Sequence, residues 1–367
     1  MRRRPSHLST LRRPTPLWRV VLLDILAAAL ILGLYAIFKL AIPAMRRSAV
    51  QSAAAPVIAE SVSTPEPVPE ITAEPAPVAL EPEATAEPTP EPTPEPTPDL
   101  RTPWQIKFAE HFTDEPVLTE NSYTSPEVAI EITSYSREEN GWTSVYHVAD
   151  IYVASLDNFK TYTVNGELQY WSTEDVMTLD AESNAILAIS GDFYSYQSGG
   201  FIMRNSEIYS AKAAHADICV LYDDGRMETF FGGQYDVDQI LADGAVQVWQ
   251  FGPVLLDGEG HAMTRFPGAQ GTVNQPNPRS AVGYYEPGHY CFVVVDGRQD
   301  GYSHGLLLPG LSQVFEELGC SCAYNLDGGG SAVMTFNHQR FSRQSNGAGR
   351  ELGDILLITE PGFPRAG

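Results

Sequence analysis

Residues Cys322-Ala323-Tyr324-Asn325-Leu326-Asp327-Gly328-Gly329-Gly330-Ser331 run from a short apolar segment straight into an aspartate, three glycines and a hydroxyl. A strand that ends in Asp-Gly is the ordinary sign of a hairpin turn, because both residues suit its backbone. A two-residue hairpin needs one glycine, and here there are three. Successive glycines let the backbone come close to a ligand, and their N–H groups form an anion-binding nest to which Ser331 adds a donor. The stretch therefore predicts a strand that delivers a site, with Asp327 at its mouth.

Two further strand-like runs end the same way. Leu187-Ala188-Ile189-Ser190 leads into Gly191-Asp192-Phe193-Tyr194, and Val293-Val294-Val295 leads into Asp296-Gly297-Arg298. Each alone reads as a turn. A fourth element, Asn277-Pro278-Arg279-Ser280-Ala281-Val282-Gly283, sets one arginine at the start of an apolar run. The planar guanidinium fork suits a phosphate, and a surface ion pair is the competing interpretation in so acidic a domain.

Around these elements the region from Trp104 onward is dense in short aromatic and β-branched runs. Strands are predicted at 128–134, 145–154, 185–190, 200–204, 218–222, 245–250, 280–284, 290–295, 322–326, 332–336 and 355–359. Helical patterning is confined to 173–183, 237–242 and 307–318. In the last, Leu308, Leu311, Val314, Phe315 and Leu318 share one face. The expected fold is a single α+β domain over residues 101–367, with a large, mostly antiparallel sheet system and few helices.

The rest of the chain has a different composition. Residues 1–47 carry eight Arg and one Lys against Asp24 alone, while residues 48–100 carry ten acids and no base. Val20 to Ile42 is apolar enough and, as a helix, long enough to cross about 30 Å of hydrocarbon. Six arginines precede it, so a basic tail (1–19) is expected in the cytoplasm and everything after the span (20–42) outside the cell. Residues 43–100, with tandem Glu-Pro-Thr-Pro units from Glu87 to Pro98, form an extended linker without a core, reaching on the order of 150 Å. The expected location is thus the cell membrane, single-pass, with an extracellular C-terminal domain.

The net charge of −23 argues against nucleic acid as a partner. The cysteines, Cys219, Cys291, Cys320 and Cys322, are too few for a disulfide framework, and whether one pair is bridged stays open. No Cys-x-x-Cys or paired histidines at ligand spacing supply a zinc site.

Six elements occur in a fixed order: Gly191-Asp192-Phe193-Tyr194; Phe251-Gly252-Pro253-Val254-Leu255; Pro278-Arg279-Ser280-Ala281-Val282-Gly283; Val295-Asp296-Gly297-Arg298 with Ser303 and Gly305; Asn325 to Ser331; and Arg350 before Gly353. Together, over about residues 180–360, they resemble the phosphodiester glycosidase family. The resemblance implies a hydrolase cleaving a sugar-1-phosphodiester and, as in bacterial relatives, a place in exopolysaccharide or cell-envelope metabolism. Ser190 and Asp354 depart from the family pattern, which often has asparagine at both positions.

Such a reaction must stabilise an oxocarbenium-like centre and a phosphate leaving group. On this basis Asp327 or Asp296 is the expected base or nucleophile. Arg279 and the amides of Gly328, Gly329 and Gly330 are assigned to the phosphate with Ser331, and Asn325 and Asp192 to sugar hydroxyls. Arg350 is either a second phosphate ligand or the partner of one of these acids. No cofactor is required, though several aspartates in one pocket are also a donor set for a divalent cation. Two alternatives stand beside the hydrolase: a non-catalytic domain binding an anionic cell-envelope glycan, and an esterase using Ser303 of Gly301-Tyr302-Ser303-His304-Gly305.

Overall fold

The computed structural model describes residues 101–139, 141–196, 199–266, 275–345 and 349–365. The basic tail, the span at 20–42 and the linker at 43–100 lie outside the described residues. Among the described residues no helix is long and apolar enough to cross a membrane.

The described residues are mostly β, with seventeen strands in three sheets and four short α-helices. The largest sheet contains β1 (Val117–Leu118), β2 (Ser122–Thr124), β3 (Val128–Glu139), β4 (Trp142–Val153), β12 (Arg279–Glu286), β13 (His289–Val295) and β14 (Cys322–Asn325). Its spatial order is β1-β2-β3-β4-β13-β12-β14, with every neighbouring pair antiparallel.

The second sheet has the order β10-β9-β11-β7-β8, from Met227–Phe230, Ile218–Tyr222, Ala245–Trp249, Phe201–Arg204 and Glu207–Ala211 respectively. The third has the order β16-β15-β6-β17-β5, from Gln339–Arg340, Met334–Phe336, Leu187–Ser190, Asp354–Ile358 and Phe159–Thr163.

Strands β12 and β13 read as unbroken apolar runs because both faces of the large sheet are covered there. On one face Ala281, Cys291, Val293 and Val295 pack under Leu308, Leu311, Val314 and Phe315. On the other, Val282, Phe292 and Val294 join Phe159, Ile189, Trp249 and Leu356 from the two smaller sheets. Phe159 sits edge-on to Tyr290 and Phe292 at 5.2 and 5.5 Å. Such aromatic pairs add about 0.5–1.5 kcal/mol each beyond area burial.

Helix α1 (Pro103–Lys107) is closed by a capping box between Thr102 and Gln105. Helices α2 (Val176–Ser183) and α3 (Val237–Ala242) follow, capped by the carboxylates of Asp175 and Asp236. Helix α4 (Leu308–Leu318) realises the predicted amphipathic segment. It has proline in its first turn, and Gly319, at φ +79°, terminates it in the left-handed region. The α+β expectation resolves into a mostly β domain, because these helices cap sheets rather than form a layer.

Candidate functional site

Strand register decides where the predicted side chains emerge. Arg279 opens β12 opposite Val295 at the end of β13, and Asn325 at the end of β14 faces Ala281. Arg279, Asp296 and Asp327 therefore leave the large sheet at one end. In the third sheet Ser190 faces Ile355, which sets Gly191 and Asp192 beside Asp354. The two ends are stitched together. The Asp327 N–H donates to the Gly191 carbonyl at 3.0 Å, and Ser190 Oγ lies 3.0 Å from the Asp327 carbonyl oxygen and 2.7 Å from Ser280 Oγ.

Behind this junction lies a buried Asp–Arg–Asp cluster. Arg204, the last residue of β7, places Nη2 2.7 Å from Asp192 Oδ1 and donates from Nε to Asp354 Oδ2 at 2.8 Å. Its Nη1 donates to the carbonyls of Met203 and Val248. Burial alone would discharge the guanidinium, but the two aspartates overcome it and hold it charged. Asp192 also accepts the N–H groups of Tyr194 and Gln250, at 2.8 and 2.7 Å.

The Asp354 Oδ1 is buried without a hydrogen-bond partner among the described residues. Burial pushes that carboxyl up to about 8, the Arg204 charge opposing the shift and Asp192 and Asp327 adding to it. Gly191 makes room for the group, since a Cβ there would lie 2.2 Å from Asp354 Oδ1.

Asp327 stands in front of this cluster. Its Oδ2 accepts a short hydrogen bond from Arg350 Nη2, and Arg350 Nε donates to Ser331 Oγ at 2.8 Å. Burial raises the Asp327 carboxyl, while the Ser331 hydroxyl and the Arg350 charge pull it back down. Arg350 is thus paired with Asp327, and its guanidinium also lies 5.3 Å from the Phe193 ring centroid. Asp192, Asp327, Asp354, Phe193, Tyr196 and Glu351 line a cleft of about 10 Å³, the space of roughly one water.

The glycine run passes between two arginines. Gly329, at φ +63°, donates its N–H to the Pro278 carbonyl at 2.9 Å, and a Cβ on it would sit 3.0 Å from Arg298 Nη2. On the other flank the Arg350 N–H donates to the Gly330 carbonyl at 3.0 Å. A Cβ on Gly328 would meet the Pro278 carbonyl at 2.7 Å. Arg298 is held by Asn277 Oδ1, and Arg279 donates to the carbonyls of Leu306 and Gln275 at 3.2 and 3.4 Å. Burial, with the neighbouring Arg298 charge, lowers the Arg279 guanidinium to about 10. Two adjacent cations beside a glycine-rich turn raise the local potential and favour an anion there.

Asp296 is brought to the same end but into a network of its own. Its side chain is 1% exposed, Oδ2 lies 3.1 Å from His147 Nε2 and accepts the Tyr302 hydroxyl at 2.9 Å, and Oδ1 accepts the Arg343 N–H at 2.9 Å. His147 Nδ1 in turn lies 2.8 Å from Ser134 Oγ. Asn325 donates to the carbonyls of Gly252 and Leu326, at 2.8 and 3.1 Å. Ser303 is buried, donates to the Asp296 carbonyl at 2.6 Å and accepts the Val145 N–H at 2.9 Å. Its hydroxyl is a strut for the Asp296 loop and presents no exposed nucleophile.

Among the described residues no group of three or more His, Cys, Asp or Glu is arranged to hold a metal ion. Between Asp192 and Asp354 the cationic position is filled by Arg204. Sequence reasoning missed Arg204, Asp354 and Arg298 as parts of the site. An arginine at the end of the apolar run 200–204 was the signal for the first, because a buried cation requires carboxylate partners.

A mostly β domain that gathers carboxylates, arginines and a glycine-rich turn at one set of strand ends is built as a hydrolase-like domain. Residues 183–359 match the family described as phosphodiester glycosidase.

The SPbeta prophage-derived uncharacterized protein YomE of Bacillus subtilis (strain 168) is 27% identical over 196 residues, 51% of this chain and 30% of that protein. The chain therefore spans under a third of the length of this curated relative. Among solved structures, the zebrafish N-acetylglucosamine-1-phosphodiester alpha-N-acetylglucosaminidase catalytic domain, auto-inhibited by its pro-peptide, superposes with a TM-score of 0.52. The identity is 21%, with 67% of this chain and 88% of that one covered, and the likeness is one of fold.

Proposed function

We propose that the domain hydrolyses a sugar-1-phosphodiester, with Asp327 as the group that acts at the anomeric carbon. One observation carries this reading: Asp327 is buried at the mouth of a cleft, paired with Arg350, and follows a β-strand directly into the glycine turn flanked by Arg298. A phosphate monoester is a good leaving group, so the reaction depends more on a base or nucleophile and on anion stabilisation than on strong acid assistance. The arginine pair Arg279 and Arg298, with the Gly328–Gly330 turn, is assigned to the departing phosphate. Arg350 orients the Asp327 carboxyl and opposes the rise that burial imposes on it. Asp192 and Asn325 act from behind, fixing Arg204 and the turn before Val254. No metal is required by this scheme.

The substrate is proposed to be a cell-envelope or exopolysaccharide glycan phosphodiester, with the domain carried outside the cell on the acidic linker and anchored through residues 20–42. The basic N-terminal flank, the apolar run and the proline-rich composition support that placement. A second reading, binding of an anionic glycan without turnover, draws on the small volume of the cleft, about 10 Å³.

The test is to incubate the full chain and its D327N variant with a panel of sugar-1-phosphodiesters, with and without chelator. The wild type is expected to release free sugar and a phosphate monoester, and D327N to lose at least ~100-fold in rate while retaining the wild-type circular dichroism. Equal turnover by a folded D327N protein would sink the role of Asp327. Saturable binding with no product over long incubation would favour the second reading.

A further inference from the structure

Outside the carboxylates and arginines, two aromatic rings line the Asp327 cleft and a third stands against one of them. Phe193 and Tyr196 line it, with ring centroids 4.5 Å apart and planes only 21° from parallel. Trp171 stands edge-on to Tyr196 at 5.2 Å and is 62% exposed, the highest value among the exposed large hydrophobic residues described. An indole left so open forgoes most of the apolar burial that usually fixes a tryptophan.

Its backbone adds a second, independent sign. Trp171 has φ +60°, in the left-handed region that a bulky side chain rarely adopts, and it is held there by an N–H bond to the Ser195 carbonyl at 2.8 Å. A glycine would occupy this position without strain. An exposed ring kept in an unfavourable conformation beside a cleft is the kind of outlier from which a function is inferred.

We propose that Trp171, Tyr196 and Phe193 form a subsite for a pyranose ring of the glycan, adjacent to the sugar whose phosphodiester meets Asp327. The placement next to the reacting bond rests on the function proposed above; the stacking itself does not. A pyranose offers an apolar face of axial C–H groups that lies flat on an aromatic ring, while its hydroxyls remain at the edge for polar partners. Glu351 and Arg350, both at this rim, are such partners. A cationic ligand would also seek aromatic faces, but the guanidinium of Arg350, 5.3 Å from the Phe193 centroid, repels it. Trp171 precedes the family-matching segment 183–359, whereas Phe193 and Tyr196 lie within it.

The experiment uses full-length D327N as the parent, so that turnover does not consume the ligand. Calorimetric titrations with an oligosaccharide phosphodiester of two or more sugars and with inorganic phosphate are compared for the parent and for its W171G and W171F derivatives. W171G is expected to bind the oligosaccharide on the order of tenfold more weakly, to bind phosphate as the parent does, and to melt no lower because glycine relieves the left-handed strain. W171F is expected to recover most of the affinity. Unchanged oligosaccharide binding by W171G overturns the subsite, as does an equal loss of phosphate binding or the absence of any glycan binding by the parent. If binding depends on Trp171 while the wild type hydrolyses no phosphodiester, the subsite stands and the catalytic reading falls.

Discussion

Replacing Asp354 by asparagine probes which protonation state the buried Asp–Arg–Asp cluster holds. The substitution keeps the shape of the side chain and leaves an acceptor for Arg204 Nε, now 2.8 Å from Asp354 Oδ2. It also installs the asparagine that the family resemblance expects there. With the carboxyl pushed up to about 8, the folded protein carries it protonated at pH 6, and Asn replaces one neutral acceptor by another. The expected cost at pH 6 is about 1 kcal/mol or less. Were Asp354 ionised and paired at that pH, removing its charge from beside a buried guanidinium would cost about 3–5 kcal/mol.

The pH dependence separates the two cases. The unfolded chain releases this proton near pH 4 and the folded chain near pH 8. Between those values the folded state binds the extra proton, so the contribution is fully present below about pH 4 and is lost as pH rises towards 8. The limiting slope for one proton is about tenfold in the folding equilibrium per pH unit. Urea unfolding followed by far-ultraviolet circular dichroism from pH 5 to 9 should show the wild type weakening relative to D354N as pH rises. A D354N penalty of about 3–5 kcal/mol at pH 6, with parallel pH profiles for the two proteins, would refute the protonated carboxyl.

Two further substitutions test the surroundings. R350A removes the charge that lowers the Asp327 carboxyl, so the acid limb of the pH–rate profile should move to higher pH and kcat/KM should fall ~10–100-fold. An unmoved acid limb would detach Arg350 from Asp327. G191A drives a Cβ to within 2.2 Å of Asp354 Oδ1 and should destabilise the fold by about 3 kcal/mol in chemical denaturation, whereas a wild-type midpoint would mean that the junction of the two sheets yields easily.

Long apolar runs such as 290–295 were legible because they are buried on both faces, and the glycine run because three consecutive glycines have few other uses. The short strands β1, β8 and β16 were not, since their residues are mostly exposed and carry no alternation. Arg204 resembled an ordinary strand end, because its partner Asp354 is 150 positions away and only the fold joins them. Asp296 and Asp327 looked equivalent in sequence, each an aspartate before glycine. Their difference comes from neighbours supplied by other strands: His147, Tyr302 and Arg343 around one, Arg350 and Ser331 around the other. Nothing in the composition around Trp171 foretells its left-handed backbone.

The position of β17 has a consequence for how the molecule comes into being. This strand follows every other strand among the described residues, yet it lies between β6 and β5 in the third sheet and brings Asp354 to Arg204. Until β17 has been made, β6 and β5 lack their shared neighbour and Arg204 lacks one of its two carboxyl partners. Pairings this distant in sequence form slowly. Loss of β17 therefore removes an interior strand of the third sheet rather than an edge.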